Sequence, residues 1–176
     1  MRDVDAHRRA IAEILGESKH IPVVAVLGNH ETWSSPLLWS SAFRQAGISV
    51  LENQIYESDV ANMCIRGLGD YFTQQFRYVD FPASCADKLN ITLTHDPAGA
   101  FEPGVVGLIF AGHTHCGQVR LPFFGAPYVP TSAPKGAHCG LYSDAHRQLF
   151  VSAGVGTSVV PLRFLAQAQW DLITFN

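Results

Sequence analysis

The sequence predicts an α/β fold. Segments with helical periodicity alternate with short apolar runs along the 176 residues, and three of these runs end in loops that contain histidine or asparagine. In α/β sheets, ligands bind outside the carboxyl ends of the strands. The pattern therefore predicts one site, at the sheet edge where these three loops would meet.

The first part of the chain predicts a helix, a strand and a second helix. Residues 5–15 carry apolar side chains at helical spacing, and Gly16 follows as a stop. The valine-rich run 22–27 is typical of a buried strand. The serine–proline pair at 35–36 is expected to open the second helix with serine as its N-cap, and Gly47 is expected to close it.

The remaining elements are predicted to be short strands, because each apolar run is brief and is bounded by turn residues. They are expected around 48–52, 55–60, 63–68, 91–94, 105–111, 148–152 and 170–175. We find no repeat, low-complexity tract or interdomain linker in the sequence. Residues 1–176 are therefore expected to form a single domain.

The composition excludes several classes of protein. Hydrophobic residues make up 47% and charged residues 15% of the chain, which is typical of a globular domain. A net charge of −3 argues against a nucleic-acid partner. No apolar run approaches the roughly 18–20 residues of a membrane helix, and the polar N-terminus shows no signal peptide. These features predict a cytoplasmic protein.

The four cysteines lie at long, irregular spacings without a CxxC pair. This spacing favours a reducing compartment and argues against a disulfide scaffold. Cys116 directly follows a candidate metal ligand, and we expect it to pack rather than to join a metal shell. Cys64, Cys85 and Cys139 are expected to be structural.

The three polar loops contain the candidate ligands Asn29, His30, His95, His113 and His115. Imidazole and amide groups suit Zn, Mn, Fe and similar divalent ions. Residues i and i+2 of an extended or turning segment can point the same way, so His113 and His115 could each reach one of two neighbouring metals. Glycines at 28 and 112 are expected to let the backbone turn tightly before the ligands. A single histidine is more often a surface or core residue, so the hypothesis rests on their joint placement.

Three motifs carry a family resemblance. The segments Gly28-Asn29-His30-Glu31, Thr94-His95-Asp96 and Gly112-His113-Thr114-His115 resemble the last three metal-binding motifs of the calcineurin-like metallophosphoesterases, in order and in spacing. Segments 118–125, 154–158 and 161–164 are similar to the YkuE-type branch, which includes lipid-linked diphosphatases. The resemblance covers essentially the whole chain.

The resemblance implies a fold and an activity. The fold is the four-layer αββα sandwich of two mixed sheets, here expected to be N-terminally incomplete. The activity is divalent-metal-dependent hydrolysis of a phosphoester bond by a metal-activated water, on a phosphodiester, pyrophosphate or lipid-linked phosphate. Two metals of this kind clamp the phosphoryl oxygens and lower the pKa of a bound water.

The resemblance also implies roles for residues. Asn29, His95 and His113 would hold one metal, and His115 would reach the other. His30 would be catalytic, because an imidazole near the phosphate can stabilise the transition state or protonate the leaving oxygen. The acidic neighbours, Glu31 and Asp96, either orient a histidine or are solvated loop charges.

Two motifs of the family are absent from the sequence. Family members begin with an Asp-x-His strand and a Gly-Asp motif whose aspartate bridges both metals. We therefore expect two divalent ions (Mn, Zn or Fe) in the intact site and one or none in this chain. The alternative function is a catalytically inactive metal- or lipid-binding fragment. An open sheet edge would favour self-association.

An uncharged, proline-rich segment at 121–130 is expected to be a loop near the mouth of the site. Phe123 and Phe124 either cover the core or form a hydrophobic rim that binds substrate or contacts a membrane peripherally. The segment 67–71 resembles a family segment near the pocket entrance. Its Asp70 is a candidate substrate-binding residue, or it caps a turn.

Overall fold

The computed structural model describes residues 4–18 and 20–175. The chain divides into two compact units, residues 1–90 and residues 91–176. Helices and strands are both present, and the strands belong to two sheets. The α/β class is confirmed, whereas the single-domain expectation stays a prediction.

The first unit contains the helices α1 (Val4–Gly16), α2 (Asn29–Ser34) and α3 (Pro36–Gln45). Helix α1 contacts α3 through Arg8, whose guanidinium carbon lies 5.5 Å from the centre of the Trp39 ring. The hydrophobic core of this unit is formed by Ala12, Leu27, Trp39, Phe43, Ile48 and Val50. The two helices predicted at 5–15 and after the serine–proline pair are therefore confirmed.

Two glycines shape the ends of these helices. A side chain at Gly16 would place its Cβ 2.6 Å from the Ala46 carbonyl oxygen, so the glycine permits close approach. Gly47 has a φ of 82° and its N–H donates to the Arg44 carbonyl at 3.0 Å, which ends α3 as expected. Ser35 is the N-cap of α3 and Pro36 its first residue, as expected. The Ser35 carbonyl oxygen accepts from the N–H of Leu38 at 3.1 Å, and its side chain makes no capping hydrogen bond.

The strands of the first unit form two pairs. β1 (Val24–Ala25) runs parallel to β2 (Ser49–Val50). β3 (Gln54–Glu57) is antiparallel to β4 (Met63–Gly67). Each lies within or beside a predicted run, although β1 and β2 are shorter than predicted.

The second unit is built on β5 (Leu89–Leu93), β6 (Gly107–Ala111), β7 (Gly140–Ser143) and β8 (Arg147–Val151), of which β5 begins at the end of the first unit. The strands are adjacent in the order β5-β6-β8-β7. The pairs β5–β6 and β6–β8 are parallel, and β7–β8 is antiparallel. Ile109 on β6 and its partner Leu149 on β8 are fully buried. These two strands place the core of the unit beneath the loops that follow them.

Two expectations about strands are wrong. β7 was not among the predicted strands, and the predicted strand at 170–175 does not form. Trp170 and Leu172 are 78% and 84% exposed. A strand requires a ladder partner for its backbone groups, and no pairing is present for 170–175 among the described residues. A brief apolar run was therefore not sufficient to predict a strand.

The cysteines form two disulfides, Cys64–Cys85 and Cys116–Cys139. The expectation of no disulfide scaffold is therefore wrong, as is the expectation that Cys116 only packs. The partners are 21 and 23 residues apart in sequence. Such distant pairs are brought together only by the fold, so spacing did not reveal them.

The part of the chain that the structure describes contains no helix long and apolar enough to cross a lipid bilayer.

Candidate metal centre

The parallel strands β5 and β6 bring two predicted ligands together. His95 and His113 each follow the last residue of their strand by two positions. The backbone ladder continues beyond the strands, because Thr94 N–H donates to the Phe110 carbonyl at 3.0 Å and Gly112 N–H donates to the His95 carbonyl at 3.0 Å. As a result, His95 Nε2 lies 3.1 Å from His113 Nδ1. For these two histidines the sequence argument from strand ends is confirmed.

A backbone carbonyl determines which nitrogen of His113 carries a proton. His113 Nε2 lies 2.6 Å from the Pro130 carbonyl oxygen. A carbonyl oxygen only accepts, so Nε2 must be the donor, and in the neutral ring Nδ1 then holds the lone pair. Metal-ligating histidines usually donate their second ring N–H to such an oxygen. If His113 holds a metal, Nδ1 is therefore the nitrogen that would bind it.

The spacing of the two nitrogens fits a shared divalent ion. Metal–nitrogen bonds of about 2.0–2.1 Å place two ligand nitrogens roughly 2.8–3.4 Å apart, depending on whether the angle is octahedral or tetrahedral. The separation of 3.1 Å lies in this range. Without an ion, His95 Nε2 carries the proton that it donates to His113 Nδ1. For His95 to bind a metal through Nε2, its neutral ring would have to carry that proton on Nδ1 instead.

Asp96 supports this pair indirectly. The residue is 1% exposed. Its Oδ1 accepts hydrogen bonds from the Ala98 N–H at 2.9 Å and from the Thr131 hydroxyl at 2.5 Å. Thr131 directly follows Pro130, whose carbonyl orients His113. The interpretation of Asp96 as a solvated loop charge is therefore wrong, because the carboxylate is buried and fixes the segment that positions the histidine.

His115 has a different environment from His113. Its Nδ1 lies 3.1 Å from the guanidinium Nη2 of Arg163. Since a guanidinium only donates, Nδ1 is the acceptor and the neutral ring carries its proton on Nε2. The same guanidinium donates to backbone carbonyls that include Ala153 at 2.7 Å and Gly154 at 3.1 Å. To bind a metal, His115 would have to give up either the hydrogen bond at Nδ1 or the proton on Nε2. Its ligand role stays a prediction.

The loop that carries these histidines has an unusual backbone. His113, His115 and Cys116 have φ values of 63°, 49° and 53°, in the left-handed region that L residues rarely adopt. Thr114 holds the loop through its hydroxyl, which donates to the His138 carbonyl at 2.8 Å, and the adjacent Cys116–Cys139 disulfide fixes the same two segments.

Neither of the two glycines expected before the ligands adopts the left-handed backbone that favours glycine. Gly112 lies outside the left-handed region, and Gly28 has an extended φ of −112°. Thr114, between His113 and His115, has φ −72° and ψ −17°, so the segment turns rather than being extended. That each histidine reaches one of two metals stays a prediction.

The other two predicted site residues lie in the first unit, where the expected loop is the helix α2. Asn29 is the first residue of α2 and is 5% exposed. His30 is exposed, and its ring contacts Trp33 edge to face with the ring centres 5.3 Å apart. Glu31 accepts a hydrogen bond from the Gly28 N–H at 2.9 Å, so its carboxylate caps the helix. The ligand role of Asn29 and the acid role of His30 stay predictions.

Glu52 was missed by the sequence analysis. It follows β2 by two residues, as His95 follows β5, so the rule of strand ends would have found it. Its Oε1 accepts a hydrogen bond from the Leu27 N–H at 3.0 Å, at the end of the apolar run that precedes Asn29. Burial raises the pKa of the Glu52 carboxyl, and the nearby charges of Asp70 and Glu31 act in the same direction.

Asp70 caps a turn. It is 1% exposed, and its Oδ2 accepts from the Thr73 N–H at 2.9 Å and the Thr73 hydroxyl at 2.7 Å. The turn-capping interpretation is confirmed by these bonds. Substrate binding by Asp70 stays a prediction.

Phe123 and Phe124 lie at the tip of a tight turn in the second unit. Leu121 N–H donates to the Gly125 carbonyl at 2.7 Å, and Gly125 N–H donates back to the Leu121 carbonyl at 3.0 Å. Phe123 is fully exposed and Phe124 is 86% exposed. The alternative that these two rings cover the core is therefore wrong.

A further group of potential ligands is found among residues 4–18 and 20–175, formed by Glu57, Cys64 and Cys85. The two cysteines are joined in a disulfide, so they offer no thiolate. Glu57 accepts hydrogen bonds from the Ser84 hydroxyl at 2.9 Å and from Lys88 Nζ at 3.1 Å. The contacts of this group are those of a structural cluster.

Comparison with known proteins identifies relatives that are named as phosphoesterases. The chain is 27% identical over 182 residues to the uncharacterized metallophosphoesterase YkuE of Bacillus subtilis, a match that covers 99% of this chain and 63% of the relative. It is 29% identical over 164 residues to the phosphodiesterase YaeI of Escherichia coli, covering 88% of this chain and 59% of the relative. It is 31% identical over 158 residues to an uncharacterized metallophosphoesterase of Helicobacter pylori, covering 82% of this chain and 40% of the relative.

The chain is therefore similar to proteins named as metallophosphoesterases and as a phosphodiesterase, in agreement with the resemblance found in its motifs. The chain spans about 40–63% of the length of these curated relatives. No family model matches the sequence. No solved structure matches it either.

Proposed function

We propose that this chain is the metal-binding part of a divalent-metal-dependent phosphoester hydrolase. The observation that carries the proposal is the pair His95 and His113, with its nitrogen separation of 3.1 Å and with His113 Nε2 on the Pro130 carbonyl. The spacing fits two cis ligands of one ion, and the carbonyl holds the His113 proton on Nε2, so Nδ1 is the nitrogen that would bind the ion. The names of the relatives supply the reaction class, since two are metallophosphoesterases and one is a phosphodiesterase.

A divalent ion bound at this pair would polarise a phosphoryl oxygen and lower the pKa of a bound water. In the hydrolysis, the water oxygen forms a bond to phosphorus, the bond to the ester oxygen breaks, and that oxygen takes up a proton. His95 and His113 offer two neutral ligands. The chain of contacts through Asp96, Thr131 and Pro130 keeps the ring of His113 in place before the ion arrives, which reduces the entropy lost on binding.

We further propose that the turn at 121–125 contacts a lipid surface. The exposed phenyl rings of Phe123 and Phe124 stand on a turn closed by two reciprocal backbone hydrogen bonds, and the segment 121–130 carries no charge. Exposed aromatic rings on an uncharged loop are typical of contact with a membrane interface. A lipid-linked phosphate is a substrate that would be presented at such a surface.

The decisive experiment combines metal content with turnover. Purified chain would be incubated with Mn²⁺ and desalted, and the bound metal would be measured by inductively coupled plasma mass spectrometry. Hydrolysis of bis(4-nitrophenyl) phosphate would be followed on the same samples. We expect about one metal per chain and turnover that a chelator abolishes. His95→Ala should lose both, whereas the matched control His146→Ala, an exposed histidine of the same unit, should keep both.

Two outcomes would contradict the proposal. Equal metal content in His95→Ala and the unchanged chain would show that the histidine pair is not the metal site. Bound metal without hydrolysis would support the alternative function, a catalytically inactive metal-binding protein.

A further inference from the structure

The candidate catalytic histidine belongs to a row of three aromatic rings within the first unit. The rings of His30 and Trp33, one turn apart on α2, meet edge to face with a centre distance of 5.3 Å and an interplanar angle of 71°. Trp33 meets Phe72 in the same manner at 6.1 Å and 71°. We call these three side chains the aromatic row.

The aromatic row is exposed despite its apolar character. Trp33 is 62% exposed and Phe72 is 41% exposed, and His30 is exposed as well. Single exposed apolar side chains are common, but a contiguous group beside a candidate catalytic residue marks a binding surface. Edge-to-face contacts leave much of each ring face accessible, so a planar group of a ligand has faces on which to stack.

The position of Phe72 is determined by a turn with many polar contacts. The buried carboxylate of Asp70 accepts from the N–H and the hydroxyl of Thr73. The Gln75 N–H donates to the Asp70 carbonyl at 2.8 Å. Asn53 Oδ1 accepts from the Gly69 N–H at 2.8 Å, and a side chain at Gly69 would place its Cβ 2.4 Å from the Gln75 carbonyl oxygen.

These contacts mean that a buried charge and a glycine are used to hold an exposed phenyl ring in one place. A ring that is fixed beforehand loses little entropy when a ligand stacks on it. Asp70, which the sequence marked as a substrate-binding candidate, would then act by positioning Phe72.

From this geometry we propose that Trp33 and Phe72 form a specificity subsite for a phosphoester whose organic group carries a planar ring. The ring stacks against the aromatic row, and the phosphate lies beside His30. The proposal rests on the proposed phosphoesterase function, because it names a substrate class for that function. Stacking on an aromatic side chain contributes about 1–3 kcal/mol when measured by alanine substitution, which is about a 5- to 150-fold change in affinity.

The test compares two ligands of equal charge, phenyl phosphate and butyl phosphate, on the full chain in the presence of Mn²⁺. Dissociation constants would be measured by isothermal titration calorimetry. We expect the unchanged chain to bind phenyl phosphate about tenfold more tightly than butyl phosphate. Trp33→Ala and Phe72→Ala should each reduce this ratio towards one while the affinity for butyl phosphate and the metal content stay unchanged.

Two further variants serve as controls. Trp33→Phe keeps a ring and should retain most of the preference. Trp170→Ala removes an exposed tryptophan of the second unit and should leave the ratio unchanged. Circular dichroism spectra of all variants would verify that they fold.

Two results would overturn the proposal. One is that the unchanged chain binds the two ligands with equal affinity, or that it binds neither ligand. The other is a ratio that persists in both alanine variants. Failure of the phosphoesterase function would be recognised separately. In that case the chain would prefer phenyl phosphate in the binding measurement but would hydrolyse no phosphoester.

Discussion

At the residue scale, the carboxyl group of Glu52 experiences two opposing influences. Burial raises its pKa, because transfer from water disfavours the charged form, whereas the hydrogen bond from the Leu27 N–H lowers it. The net direction is upward. The neighbouring charges of Asp70 and Glu31 add to the increase. The titration of Glu52 is therefore sensitive to the charges near the start of α2, the helix that carries Asn29.

This balance predicts a pH-dependent effect of Glu52→Gln. A carboxyl whose pKa is raised in the folded state supports folding fully below its unfolded pKa, and this support is lost as the pH rises through the folded pKa. The glutamine oxygen still accepts from Leu27 but never becomes charged. We therefore expect the thermal midpoint of Glu52→Gln, relative to the unchanged chain, to increase from pH 4 to pH 8. Circular dichroism melting curves would measure this difference.

Glu57→Gln is the matched control, because the pKa of Glu57 is shifted in the opposite direction to that of Glu52. Hydrogen bonds from Ser84 and Lys88 lower the pKa of Glu57, so its contribution is present above its unfolded pKa and is lost as the pH falls. Its variant should be less stable than the unchanged chain at pH 8, and the difference should decrease towards pH 4. Parallel curves for Glu52→Gln and the unchanged chain at every pH would contradict the assigned environment.

At the scale of elements, the turn at 121–125 carries the surface that we propose contacts lipid. Its backbone is closed by reciprocal hydrogen bonds between Leu121 and Gly125, and Phe123 at its tip has a φ of 66°. The turn therefore holds its conformation without contacts from the two phenyl rings. Replacement of these rings is expected to alter the surface but not the fold.

We predict that Phe123→Ser combined with Phe124→Ser weakens binding to liposomes. Burial of one phenylalanine side chain contributes about 1.5–3 kcal/mol, so loss of two rings should reduce the partition coefficient by about tenfold or more. Sedimentation with phosphatidylcholine–phosphatidylglycerol vesicles would measure it, and turnover of a soluble ester should not change. The control, Leu37→Ser combined with Leu172→Ser, removes two other highly exposed apolar side chains. Equal sedimentation of both variants and the unchanged chain would rule out the membrane contact.

At the scale of the whole molecule, two disulfides constrain the chain. Cys64–Cys85 lies in the first unit, and Cys116–Cys139 lies beside the histidine loop in the second. Each closes a loop of just over twenty residues, and a loop of this size is expected to stabilise the folded state by roughly 3 kcal/mol through the entropy of the unfolded chain. Only the second bridge adjoins candidate ligands.

The two disulfides should therefore be distinguishable. We predict that Cys64→Ser with Cys85→Ser, and Cys116→Ser with Cys139→Ser, each lower the free energy of unfolding by roughly 3 kcal/mol in urea titrations. Only the second pair should also lower the affinity for Mn²⁺, because it releases the loop that holds His113. Equal metal affinity of both variants would contradict this link. Four reactive thiols in the native chain would contradict the disulfides themselves.

The sequence by itself determined the α/β class, the two longer helices and the meeting of His95 with His113. These features depend on local periodicity and on the rule that parallel strands present their carboxyl ends at one edge, and both are readable from a single chain. The family resemblance also depended only on short motifs. The helix α2 was missed because its six residues are too few to show an apolar periodicity.

Only the tertiary structure decided the details of the site. The Nδ1 of His115 accepts from Arg163, 48 residues further along the chain, and His113 is oriented by Pro130, 17 residues away. Cys116 pairs with Cys139, and Asp96 is buried against Thr131. Each of these contacts depends on where separate loops lie in space. No local pattern encodes such positions, since they follow from the packing of the strands that carry the loops.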